Sequence, residues 1–141
     1  MSNSEKIVVR TVSKPTRYGA GDISEWFCEV FDLAEKGDEK EPEIFREVVE
    51  KSIRGEGVTS KDLNKKLAVP RSTVIYHLNR LIYTGLIVRR GRRYYLRSED
   101  MESTIEEIRS DMFREFEKMI DFAERLDRIV IGEMHARRRK R

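Results

Sequence analysis

Between Leu67 and Arg71 the chain leaves only three residues, Ala68-Val69-Pro70, to separate two helical patterns. Ahead of this gap, Val58-Thr59-Ser60 is a polar start, and Lys61-Asp62-Leu63-Asn64-Lys65-Lys66-Leu67 is a short helix burying Leu63 and Leu67. Behind it, a second helix from Arg71 to Thr84 puts Val74, Leu78 and Leu81 on one face, and Gly85 caps its C-terminus. So tight a connection between two short amphipathic helices reads as a helix-turn-helix. After Gly85 the period becomes extended. Leu86-Ile87-Val88-Arg89 and Arg93-Tyr94-Tyr95-Leu96 flank Arg90-Gly91-Arg92, which predicts a β-hairpin. A helix-turn-helix running straight into a hairpin is a winged helix.

The flanking segments fix the remaining architecture. Residues 1–21 form a basic arm in which Ile7 to Val12 reads as a short strand. Asp22 reads as an N-cap, with Glu25 completing a capping box, for a helix carrying Ile23, Trp26, Phe27, Val30 and Phe31 on one stripe and ending at Gly37-Asp38. Pro42 suits the first turn of the next helix, which pairs Ile44 and Phe45 with Val48 and Val49. From Ser98, read as another N-cap, no proline follows and the one glycine is Gly132. Ile105, Ile108, Met112, Phe116, Met119, Ala123, Leu126 and Val130 then recur at spacings of three and four, a heptad-like seam with one stutter. A helix of that length outruns what a small domain covers, so the seam predicts a homodimer through the C-terminal helix.

The expected fold is mostly α with a small β-hairpin. Residues 1–21 are the arm, and 22–97 are a winged-helix domain with an extra N-terminal helix. Residues 98–134 are a coiled-coil-like dimerisation helix, and 135–141 are a disordered basic tail.

Charge is segmented along the chain far more than its net +3 implies. Residues 55–97 carry ten cations against two carboxylates, between acidic segments of net −6 (22–54) and −7 (98–134). A basic block of this kind is an electrostatic footprint for a polyanion. No apolar run approaches the roughly 20 residues of a membrane span, and Met1-Ser2-Asn3-Ser4 does not begin a signal peptide, so a cytoplasmic chain without membrane contact is expected. The single cysteine, Cys28, excludes a disulfide framework or a cysteine-built zinc site within the chain and reads as an inert packed thiol. Scarce amides with abundant Lys, Arg and Glu lean toward a thermophile.

The candidate binding residues follow from chemistry. Ser72, Thr73, Tyr76, Asn79, Arg80 and Tyr83 lie opposite the core face of the second helix, where Arg and Asn side chains can pair bidentately with guanine and adenine. Arg71 sits at that helix's N-terminus, where amides and dipole favour a phosphate. Arg89, Arg90, Arg92 and Arg93 crowd the wing tip, where a polyanion relieves their mutual repulsion, and Lys61, Lys65 and Lys66 add unspecific backbone affinity. His77 reads as a hydrogen-bonded structural histidine. No phosphate-cradling loop, nucleophile elbow or metal-type spacing is present, so neither an enzyme nor a cofactor is expected.

The stretch Val69-Pro70-Arg71-Ser72-Thr73-Val74-Ile75-Tyr76-His77-Leu78-Asn79-Arg80-Leu81 to Thr84-Gly85-Leu86-Ile87 resembles the winged-helix core of ArsR/MarR-type transcription regulators, especially archaeal ones. Those carry a similar Ser-x-Val-x-x-His-Leu-x-x-Leu-x-x-x-Gly-Leu run, here Ser72 to Leu86. The resemblance covers about residues 42–97 and implies double-stranded DNA as the partner. Such regulators also use a long C-terminal dimerising helix. The cysteine pairs of their metal-sensing members are missing, so metal sensing is not implied. The expected function is a homodimeric, sequence-specific DNA-binding transcription regulator. The competing expectations are a winged-helix interaction module of a larger assembly and a non-specific architectural DNA binder.

Overall fold

The computed structural model describes residues 6–33 and 40–140. In chain order it contains α1 (Ala20–Val30), α2 (Lys40–Ile53), β1 (Val58–Thr59), α3 (Ser60–Leu67), α4 (Arg71–Tyr83), β2 (Ile87–Arg90), β3 (Arg93–Leu96) and α5 (Met101–Arg139). The chain is mostly helical, with a small antiparallel sheet of order β1-β3-β2 and a long C-terminal helix. It divides into two compact units, Met1–Ile105 and Glu106–Arg141.

In the first unit, α2 supplies Ile44, Phe45 and Val48 to a core completed by Leu63 of α3, Val74, Leu78 and Leu81 of α4, and Ile87, Tyr94 and Leu96 of the sheet. The periodicity that predicts these helices is the one the core uses. α1 packs on α2 through an edge-to-face contact of Phe27 with Phe45, their ring centroids 6.4 Å apart, and buries Cys28. Ser52 of α2 accepts the Leu96 amide at 3.0 Å, fastening β3 to the helix layer.

The turn between α3 and α4 is built from Ala68 in the left-handed conformation (φ 52°) and an Asn64 side-chain amide that donates to the Val69 carbonyl at 2.6 Å. Thr59 caps α3 by accepting the Asp62 amide at 3.1 Å. The Thr59 side chain holds the Asp62 carboxyl below its ordinary value of 3.8; burial, the next largest effect, opposes this, and the Thr59 backbone with the charges of Arg93 and Lys51 adds to the lowering.

Several expectations are corrected by this geometry. Ile7 to Val12 is not a strand. Its neighbourhood offers helix ends rather than a sheet edge, and the Arg10 and Lys6 amides donate to the Val30 and Tyr83 carbonyls at 2.7 and 3.2 Å. Those last-turn carbonyls have no partner inside their own helices. Gly19, not Asp22, is the N-cap of α1; Asp22 sits in the first turn and accepts the Gly19 amide at 3.3 Å.

α1 stops at Val30, well before Gly37-Asp38, which lies outside the described residues. The stop is a Schellman arrangement. Asp32 takes φ 57°, its amide donates to Glu29, and the Leu33 amide reaches back to Cys28 at 2.8 Å. Asp tolerates this conformation better than most residues, but it is a weaker sequence signal than glycine.

Likewise α5 is capped by Asp100, not Ser98: Asp100 Oδ1 accepts the Ser103 amide at 2.7 Å, while the Ser98 amide donates to Thr104 Oγ1. The sequence marks Val58 and Thr59 only as part of a polar start, yet as β1 they pair with Tyr94 and Arg93. The tail expected to be disordered is helical through Arg139. Arginines are good helix formers and suit the negative end of the helix dipole. Arg141 lies outside the described residues.

Candidate nucleic-acid interface

α4 is amphipathic around a buried anchor. His77 Nδ1 lies 2.6 Å from Oε2 of Glu41, a carboxylate that is fully buried at the start of α2. The opposite face exposes Arg71, Ser72, Tyr76, Asn79 and Tyr83, while Thr73 is half-buried. Ile75, which the polar pattern of the sequence does not single out, shares this exposed face. The spacing 72, 75, 76, 79, 83 would have found it, had apolar residues been admitted to a polar face. At the N-terminus of α4, Pro70 offers no side-chain cap, although its carbonyl receives the Thr73 and Val74 amides at 3.0 Å.

Arg80 departs most from expectation. Rather than standing free to read a base, its Nε lies 3.4 Å from Glu41 Oε1. Its Nη1 donates to the Tyr76 hydroxyl at 3.0 Å, and its Nη2 donates to the Leu33 carbonyl at the end of α1. The guanidinium also lies 5.6 Å from the centroid of the Tyr76 ring. A buried carboxylate demands charged partners, and Arg80 is on the edge of α4 nearest to it. The sequence could not show this, because nothing about Glu41 ahead of Pro42 distinguishes it from the surface carboxylates around it.

Between α4 and the arm lies an open cavity of about 470 Å³ whose walls include Lys6, Val8, Leu33, Tyr76, Asn79 and Tyr83. The arm thus borders the exposed face of α4.

The hairpin β2–β3 closes through the two residues Gly91-Arg92, with φ of +64° at Gly91 and no positive φ at Arg92. That pattern puts glycine at the first central position of a type II′ turn. Register pairs Arg89 with Tyr94 and Arg90 with Arg93, so cations occupy both faces of the tip. Arg89 lies over Tyr94 and Arg90 over Tyr95, at 5.7 and 5.3 Å from the ring centroids. Arg93 donates to the Glu56 carbonyl at 3.2 Å. Arg92, at the turn itself, is exposed. The like pair Arg90 and Arg93 is unfavourable in the free protein. The aromatic rings beneath Arg89 and Arg90 preorganise their guanidinium groups without neutralising them.

The lysines divide. Lys61, Lys65 and Lys66 are all exposed, but Lys66 Nζ is also 2.9 Å from Glu47 Oε1 of α2, a nearly buried carboxylate, and so ties α3 to α2. The predicted seam of α5 is also shortened. Ile108 is buried within the single chain, and Ile105 and Met112 are half-buried. Phe116, Met119, Ala123, Leu126 and Val130 are exposed, joined by Phe113 and Ile120, which broaden the apolar face.

Among the described residues no group of three or more His, Cys, Asp or Glu is placed to hold a metal ion, and no helix is long and apolar enough to cross a membrane. No protein-family model, curated protein or solved structure matches the chain.

Proposed function

We propose that the chain is a homodimeric transcription regulator that binds double-stranded DNA sequence-specifically through a winged helix-turn-helix of the ArsR/MarR type. The observation that carries this reading is the hairpin tip. Four exposed arginines, two of them set over tyrosine rings and one at the turn itself, follow directly from a helix whose outer face is polar and aromatic. Under this reading α4 enters the major groove. Arg71 and the open helix N-terminus meet a phosphate, Asn79 pairs with adenine, and Ile75 meets a thymine methyl. Ser72, Tyr76 and Tyr83 take base edges or backbone, and the wing arginines follow phosphates or the minor groove, with Lys61 and Lys65 adding backbone charge. Arg80 and Lys66 instead serve the fold.

One observation favours a second reading, a non-specific architectural binder. With Arg80 held by Glu41 and Arg71 given to a phosphate at the helix N-terminus, Asn79 is left as the residue of the exposed α4 face to pair bidentately with a base. Titration of the full chain against duplex DNA over a range of salt tests the common premise. Affinity falling steeply with salt, by roughly 0.9 log units of slope per neutralised phosphate, is expected. Absence of binding at low salt sinks both readings.

A further inference from the structure

The helix α5 carries an apolar face and a lengthwise division of charge, and together they define its partner. From Phe113 to Met134 the face includes Phe116, Met119, Leu126 and Val130, each about half exposed, so the single chain leaves this surface uncovered. Along the same helix, the stretch from Glu106 to Asp127 carries eight carboxylates against four cations. The stretch from Arg128 to Lys140 carries five cations against one carboxylate, Glu133.

We infer that this face binds a second copy of the same helix in antiparallel orientation. The inference rests on the homodimer part of the proposed function and adds its geometry. In a parallel pair the acidic stretches would lie side by side, and so would the two runs Arg137-Arg138-Arg139, with like charges about 8–10 Å apart across the helix axes. In an antiparallel pair each acidic stretch meets the partner's basic end. A single exposed pair is worth little, but the two stretches carry net charges of −4 and +4, which oppose a parallel arrangement and favour an antiparallel one, and the apolar contacts are available in both orientations. The charge therefore decides. Ala123, near the middle of the exposed face, places a small side chain where two antiparallel copies cross.

The test is a spin-label distance measurement on the full chain with the buried thiol removed by Cys28→Ala. Labels are attached at Ser110→Cys or at His135→Cys, both on exposed positions of α5. With pairing centred near Ala123, two Ser110→Cys copies place their labels roughly 40 Å apart at ~1.5 Å rise per residue. A mixture of the Ser110→Cys and His135→Cys proteins gives the decisive distance, short (under about 20 Å) between unlike copies if the helices are antiparallel. A parallel seam gives the reverse, short within each variant and long between them. That result overturns the inference and leaves the homodimer standing. A protein that is monomeric by light scattering overturns both. An antiparallel dimer that fails to bind DNA leaves the inference intact and removes the DNA reading.

Discussion

Glu41 and His77 meet at 2.6 Å across the packing of α2 on α4, with the carboxylate fully buried and the imidazole nearly so. Arg80, one turn farther along α4, approaches the other oxygen of the same carboxylate at 3.4 Å. The helix α4, proposed to meet DNA, is therefore oriented by a polar contact beneath it, while its outer face stays exposed. Removing His77 takes a hydrogen bond from a buried carboxylate that Arg80 still approaches on its other oxygen, at a cost of about 1–3 kcal/mol. His77→Ala should unfold at markedly lower denaturant, and a loss under about 1 kcal/mol would contradict the role given to this contact.

Arg80 separates fold from recognition. Arg80→Ala should lower thermal stability through Glu41 and through the link to the Leu33 carbonyl. Arg92→Ala, at an exposed turn, should leave stability within about 0.5 kcal/mol of the parent. In DNA titrations Arg92→Ala should weaken all sequences alike and reduce the salt slope by roughly 0.9 if its phosphate contact is lost. The opposite pattern, with Arg92→Ala unstable and Arg80→Ala altered only in base preference, would restore Arg80 as a base reader.

Gly57 lies under the β2–β3 hairpin. Its φ is +66°, and a Cβ there would sit 2.6 Å from the Tyr95 ring, the ring over which Arg90 lies. Gly57→Ala should cost about 1–2 kcal/mol from the left-handed backbone alone, with the displacement of Tyr95 added. Chemical denaturation measures the first effect. A shift of the Tyr95 ring resonances in the variant reports the second.

Acid should loosen two helix starts. The Ser103 amide and hydroxyl hold the Asp100 carboxyl below its ordinary value of 3.8, and Thr59 does the same for Asp62. A carboxyl depressed in the folded state contributes stability that is fully present above 3.8 and is lost as pH falls through the lower folded value. Hydrogen exchange at the first turns of α5 and α3 should therefore accelerate below that pH. Asp100→Asn should abolish the pH dependence at α5 while leaving it at α3. Loss of protection beginning near neutral pH would show that other groups control these ends.

Much of the fold was legible because period and burial coincide. The core positions Leu63, Val74, Leu78 and Leu81 follow from helical spacing, and the hairpin from the switch to extended residues after Gly85. What could not be read was long-range or unusual in its local chemistry. β1 is two residues long and exists because Tyr94 and Arg93 offer an edge. The end of α1 uses Asp32 where glycine is the ordinary signal. Glu41, Arg80 and Lys66 each looked like surface charge, and only the fold brings Glu41 to Arg80 and Lys66 to Glu47. Of the candidate interface, the wing arginines were legible because four cations in five residues have no place in a core. The selection of partners on α4 was not.

The central claim is that α4 and the wing read duplex DNA as a symmetric pair. Selection of bound duplexes from a random pool by the full chain, at near-physiological salt, tests it most directly. The account predicts enrichment of an inverted repeat, with half-sites set by the dimer and abolished preference at one base position in Asn79→Ala. Retention of DNA without any enriched sequence, or no retention at all, would contradict it.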